Sequence, residues 1–121
     1  MNKLGLDFGI KRRRKGENYK GLAWEDACSW RNCREVKQIF SETIEFNKEF
    51  RYPITIGAIQ LLIKKLSDEL QKTDFNNMQE IDDYNVNKLL VAIEDLSRIL
   101  NDAVCDYEYG IEYEYQVFDS F

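Results

Sequence analysis

The stretch VNKLLVAIEDLSRILNDAVCDY, residues 86–107, carries the most regular hydrophobic pattern in the chain. Its apolar residues recur at three- and four-residue steps, the spacing that places side chains on one face of an α-helix. Asp82 or Asp83 can cap this helix at its N-terminus. Because the apolar face of so long a helix must pack against a partner, the stretch predicts a scaffold of packed helices.

Two other segments are predicted to supply those partners. Thr55 can cap a helix that runs to about Lys72 and carries a stripe of Ile and Leu residues. The segment from Trp24 to Phe46 shows a less regular stripe, and Trp30 lies off its main face. Three stripes that all need apolar partners favour a mainly α fold, an antiparallel bundle of three to four helices.

The two terminal segments have the period-two pattern of short strands. Apolar residues alternate with other residues from Leu4 to Ile10 and again from Tyr107 to Val117, although the second segment also continues the helical stripe. Gly110 disfavours a helix interior and tyrosines suit strands, so we expect a strand there and a small two-stranded β ribbon joining the termini. The basic run from Lys11 to Lys15 is expected to end the first strand.

The length and composition predict one domain with its own core, since the chain has 121 residues and 44% hydrophobic content. We divide it into a basic N-terminal arm or strand-loop (residues 1–20), a helical bundle (22–106) and an acidic aromatic C-terminal segment (107–121). The longest uncharged stretch, 52–63, is shorter than the roughly 20 residues of a membrane-spanning helix. Asp7 interrupts the only region that could form a signal peptide, so we expect a cytoplasmic protein.

Residue types needed for common catalytic sites are missing or badly placed. The chain contains no histidine, which excludes Ser-His and Cys-His nucleophile pairs and histidine-ligated metals. The carboxylate pairs 82–83 and 94–95 are adjacent in the sequence, so on a helix they point about 100° apart and do not converge on a substrate. Three cysteines, an odd number, favour a reducing compartment and thiols that bind no metal. We expect no enzymatic activity, no metal and no cofactor.

The opening LGLDFG, residues 4–9, resembles the first phosphate-binding strand of actin-like sugar kinases and chaperone ATPases. That resemblance implies a ribonuclease-H-like sheet, a second lobe and a Thr-rich continuation of the strand. Here Ile10 and Lys11 follow instead, and the chain is far shorter than two such lobes. We therefore assign no ATP-binding role to Asp7.

Charge is divided unevenly along the chain, and its acidic part gives the first candidate site. Residues 1–37 carry a net charge of +5 (ten Lys or Arg, five acids), whereas residues 38–121 carry −10 (seven against seventeen). No Lys or Arg follows Arg98, and carboxylates alternate with tyrosines near the C-terminus. Such an acidic aromatic face predicts binding to a protein with a basic surface. Its residues are Asp106, Glu108, Tyr109, Glu112, Tyr113, Glu114 and Tyr115.

Three other interpretations stay open at this level. The tyrosines can instead cover the core, with the basic run folded back onto the acids. The basic run itself, Lys11, Arg12, Arg13, Arg14 and Lys15, can bind phosphates of a nucleic acid, although the overall pI of about 4.8 disfavours this. Trp30 is a candidate interface residue, and a homo-oligomeric assembly subunit is a third alternative. We expect a small acidic protein-binding module, an inhibitor or immunity-type protein of bacterial or phage origin.

Overall fold

A computed structural model describes residues 7–16, 23–31, 33–44, 51–72 and 80–120. Four strands and three helices occupy this part of the chain. In chain order they are β1 (Asp7–Arg14), β2 (Glu25–Arg31), α1 (Arg34–Ile44), β3 (Arg51–Ile54), α2 (Ile56–Gln71), α3 (Glu80–Glu108) and β4 (Tyr113–Ser120).

The strands form one antiparallel sheet in the order β2-β1-β4-β3, so the two terminal strands lie at its centre. Ile10 of β1 is opposite Cys28 of β2 on one side and Val117 of β4 on the other. The β1–β2 register shifts after Ile10, which leaves Ala27 as an extra residue on β2. This β-bulge increases the local twist of an edge strand.

One face of the sheet packs against the helices. Phe8 and Ile10 of β1 point to the same side because side chains alternate along a strand, and both are buried in a single core cluster with residues of all three helices. The rings of Phe8, Trp30 and Phe40 lie 5.1–5.3 Å apart, centroid to centroid. The fold is thus two layers, a sheet and a helical layer, around one core.

The predicted helical bundle with a small ribbon is wrong, because the chain is an α+β fold with a four-stranded sheet. The error begins in the segment 24–46, which we interpreted as one helix. Its first part is β2, where Cys28 and Trp30 alternate onto the core face, and among its described residues only α1 is helical. The basic run was expected to end a strand, but β1 continues through Arg14.

Other elements follow the prediction. The hydroxyl oxygen of Thr55 accepts a hydrogen bond of 3.1 Å from the Ala58 amide and caps α2, as expected. The long third helix is present as α3, but it already begins at Glu80, so the predicted cap at Asp82 or Asp83 is wrong because both residues lie inside the helix. The terminal segments do pair, as β1 with β4, but they form the middle of the sheet. Neither interpretation of the C-terminal segment holds throughout, since α3 ends at Glu108 and β4 begins at Tyr113.

Candidate functional site

The basic run lies in a strand whose neighbours carry carboxylates. The Arg12 Nε donates a hydrogen bond of 2.8 Å to Glu25 of β2, and Arg13 donates from Nε and Nη2 to Glu114 of β4, at 2.9 and 2.5 Å. Burial alone would lower the pKa of Arg12, but the hydrogen bond and charge of Glu25 outweigh it and raise that pKa. Two of the predicted phosphate ligands are therefore neutralised within the chain.

The lysines of the run form longer ion pairs. Lys11 Nζ lies 3.7 Å from Asp26 of β2, and Lys15 Nζ lies 4.0 Å from Glu112, whose backbone oxygen also accepts a 2.9 Å hydrogen bond from the Lys15 amide. Exposed pairs of this kind contribute about 0–1 kcal/mol each. The Lys15–Glu112 pair is the loosest link between the basic run and the acidic segment, since both side chains are about half exposed.

Aromatic rings add to the binding of these cations. The guanidinium of Arg12 lies 4.4 Å from the centroid of the Tyr113 ring, and that of Arg13 lies 4.6 Å from Trp24. Cation–π contacts at such distances are worth about 0.5–1 kcal/mol at exposed sites. The alternation of charge and aromatic residues near the C-terminus thus partly serves the sheet itself.

The predicted acidic aromatic face is divided by the structure into two parts. One part, residues 112–115, comprises Glu112 and the start of β4 and lies beside the basic run, and Tyr115 is buried. Burial raises the pKa of Tyr115, the charge of Arg12 lowers it only in part, and Asp106 adds a smaller increase. The remaining predicted residues, Asp106, Glu108 and Tyr109, lie at or just after the end of α3, and neither acid forms an ion pair with the basic run.

The end of α3 presents a second, exposed group of residues, which we call the helix-end surface. Tyr109 is 82% exposed, Tyr107 69% and Val104 54%. The members of this surface are Asp102, Val104, Asp106, Tyr107, Glu108 and Tyr109. Of these, Asp102, Val104 and Tyr107 were not among the residues predicted from the sequence.

These residues project because α3 is longer than the sheet it covers. The helix has 29 residues, about 43 Å at 1.5 Å per residue, whereas β1 and β4 have eight residues each, about 27 Å. The helical period places Tyr107 on the same face as the buried Leu96, yet Tyr107 lies beyond the core. Periodicity alone cannot distinguish these two situations, which is why Tyr107 was assigned to the buried stripe.

A Schellman motif fixes the turn that ends the helix. The Ile111 amide donates to the Asp106 backbone oxygen and the Gly110 amide to that of Tyr107, both at 2.9 Å, the two bonds that define this motif. Gly110 has φ of +74°, as the motif requires. Tyr109, between the helix and this glycine, is thereby held in an exposed position on an ordered turn.

The carboxylates of the helix-end surface form no ion pairs with the cations that the structure describes. In the described part of the chain, no Lys or Arg nitrogen lies within 4.0 Å of Asp102, Asp106 or Glu108. The last turn of α3 contains no basic residue. Since the C-terminus of a helix carries a partial negative charge, Asp106 and Glu108, in the last turn, lie where an acid is least favourable for stability.

A cleft of about 250 Å³ adjoins the helix-end surface. Asp106 and Tyr107 form its α3 side, and Tyr113 and Tyr115 its β4 side. Lys15 and Glu112 lie at the same cleft. The volume is below the roughly 300–1,000 Å³ of sites for drug-sized ligands, so the cleft accommodates a single side chain.

Trp30, predicted as an interface residue, belongs to the core. It is 4% exposed, packs against Phe8 and Phe40, and donates its Nε1 proton to Asp95 Oδ2 over 3.0 Å. The alternation of Cys28 with Trp30 was the sequence signal for a strand with one buried face, but the helical interpretation of this segment obscured it. Trp30 therefore offers no surface to a partner.

Two of the three cysteines, Cys28 and Cys33, are buried, and the third is exposed. Burial, with a contribution from Asp95, raises the pKa of Cys28 to about 12, and burial raises that of Cys33. Cys105 is exposed on α3. Among the residues that the structure describes, no three Cys, Asp or Glu side chains are grouped so as to hold a metal ion. None of the described helices combines the length and apolar character needed to cross a bilayer.

No protein family matches this chain, and no curated protein and no solved structure is significantly similar to it.

Proposed function

We propose that this chain is a non-catalytic protein-binding module, which binds a basic segment of another protein through the helix-end surface. This is the inhibitor or immunity type of function expected from the sequence, with the predicted acidic aromatic face narrowed to its part near the end of α3. Arg13 binds Glu114 closely and Lys15 pairs only loosely with Glu112, so the acids of this segment that form no ion pair with a described cation are Asp102, Asp106 and Glu108.

One observation carries the proposal, namely that three carboxylates near the negative end of α3 form no ion pair with any cation among the described residues. The two in the last turn, Asp106 and Glu108, each cost stability on the order of 0.3–1 kcal/mol through the helix dipole. Proteins retain unfavourable local choices mainly at functional sites, where another interaction compensates for them. A cationic partner would supply that compensation.

The exposed aromatic residues give the surface its anchors. Tyrosine is enriched among the residues that dominate binding energy at protein interfaces, since it combines a large apolar ring with a polar group. Tyr107 and Tyr109 stand on either side of the last helical residue, Glu108. Carboxylates around such rings attract a basic partner and the rings then exclude water.

The nucleic-acid alternative is less well supported. Phosphates would have to compete for Arg12 and Arg13 with Glu25 and Glu114, which hold them by hydrogen bonds of 2.9 Å or less. Breaking these pairs would also disturb the centre of the sheet, where β1 lies. The basic run is thus better explained as a structural element of the sheet.

The proposal is tested by affinity capture from a lysate of the source cells, treated with nuclease, using the wild-type chain and three variants. Glu108→Lys and Tyr109→Ala should each reduce recovery of a protein partner, and truncating an anchoring tyrosine is expected to weaken affinity by about 2 kcal/mol, roughly 30-fold. Glu94→Lys is the matched control, because Glu94 is exposed on the same helix outside the surface. A partner recovered equally by all four chains, or released by nuclease, would reject the proposal.

A further inference from the structure

We propose that the cleft beside the helix-end surface receives one arginine side chain of the partner, which replaces Lys15 as the cation next to Glu112. This inference rests on the proposed function and specifies its central contact. Three parts of the chain contribute charged residues to this cleft. Asp106 lies near the end of α3, Glu112 in the turn before β4, and Lys15 directly after β1.

The shape and chemistry of the cleft suit a guanidinium group on an aliphatic stem. Its walls are largely apolar rings, from Tyr107, Tyr113 and Tyr115, against which methylene groups can pack. Its charged groups include the carboxylates of Asp106 and Glu112. A planar guanidinium has five donors in a fixed arrangement that can bridge two carboxylates, which an ammonium group cannot reproduce.

The chain itself already contains a contact of this kind. The guanidinium of Arg12 lies over the Tyr113 ring, at 4.4 Å from its centroid, so an aromatic ring of this cleft does bind a guanidinium. Arg12 is held in that position by Glu25. The proposed arginine of the partner would make the equivalent combination, an aromatic ring with a carboxylate, using Asp106 and Glu112.

Lys15, the cation that the partner's arginine would replace, binds Glu112 only weakly. Its Nζ is 4.0 Å from Glu112 and both side chains are 53% exposed, so solvent screens this ion pair and its loss costs little. Asp106, in contrast, has no cation within ion-pair distance among the described residues. An incoming arginine therefore gains one unpaired carboxylate and displaces only a loose lysine from the other.

The test titrates the full chain with three small probes, the acetylated amides of arginine, lysine and citrulline. Binding is observed as shifts of amide signals in ¹H–¹⁵N NMR spectra. Arginine should shift the amide signals of Ile111 and Glu112 and bind more tightly than lysine, whereas uncharged citrulline should not bind measurably. Equal binding of citrulline, or shifts confined to other parts of the chain, would overturn the inference.

Variants separate this inference from the proposed function. Asp106→Asn should weaken arginine binding about five-fold or more, while Asp102→Asn, one turn away and outside the cleft, should change it less than two-fold. Lys15→Ala should strengthen it by up to about five-fold, the equivalent of 0–1 kcal/mol. If partner binding responds to Glu108→Lys but not to Asp106→Asn or Lys15→Ala, the proposed protein-binding function is supported and the arginine site in the cleft is rejected. If it responds to none of them, both proposals fail.

Discussion

Replacing Glu108 by lysine should make the protein more stable while weakening its binding to a partner. Glu108 is the last residue of α3, in a final turn without basic residues. A negative charge there is unfavourable and a positive one favourable by about 0.3–1 kcal/mol each, so exchanging them should raise the free energy of unfolding by about 0.6–2 kcal/mol. For a domain of 121 residues, this corresponds to an increase in Tm of about 2–8 °C.

The assay is thermal and urea unfolding followed by circular dichroism, at about 20 mM and 1 M salt. Because the Debye length falls to about 3 Å at 1 M salt, the gain should shrink strongly there. Glu94→Lys, in the middle of the same helix, is the control for net charge and should change stability by less than about 0.5 kcal/mol. A Glu108→Lys chain that is less stable than the wild type, or a gain that is unaffected by salt, would refute the dipole argument.

Three further predictions concern the sheet, the helix end and the thiols. In Gly9→Ala the new Cβ would overlap the backbone oxygen of Cys28, so β1 and β2 must separate and urea unfolding should show a loss of about 2 kcal/mol or more; an unchanged midpoint would contradict the close approach. Gly110→Ala has open space around its Cβ but a φ of +74°, so it should cost about 1–2 kcal/mol, and Asn should be tolerated better than Ala. In the folded protein a disulfide reagent should label Cys105 readily and Cys28 only upon unfolding. Since burial raises the pKa of Cys28 from 9.0 to about 12, the stability gained from keeping this thiol neutral is complete below pH 9 and is lost as the pH rises from about 9 towards 12; urea titrations across that range should show the decline.

Local sequence patterns were sufficient to predict the elements whose signals lie within one short segment of the chain. The hydrophobic stripes of α2 and α3 and the cap at Thr55 depend on residues three or four apart, so they could be predicted. The pairing of β1 with β4 followed from the shared period of two. In contrast, β2 could not be recognised, because Cys28 and Trp30 are buried through contacts with β1 and the helices, which lie far away in the sequence.

The basic run shows why a local pattern of charged residues is a poor predictor of where a strand ends. The five neighbouring cations of the basic run were expected to end the first strand, but β1 continues through Arg14. In the fold, carboxylates on both sides of β1 form ion pairs with these cations. On one side they are Glu25 and Asp26 of β2, and on the other Glu112 and Glu114. The partners come from positions about 15 and 100 residues away, so no local window contains the information.

The same pairing determines which part of the acidic segment can act on another molecule. The sequence contains carboxylates at regular intervals from Asp102 to Glu114, and nothing local distinguishes one from another. The central position of β1 in the sheet does distinguish them, because within this segment only Glu112, next to β4, and Glu114, within β4, form ion pairs with the basic run. Asp102, Asp106 and Glu108 form no ion pair with any cation among the described residues. The topology of the sheet therefore leaves the acids near the end of α3, rather than Glu114, as the part of the acidic segment that can attract a cationic partner.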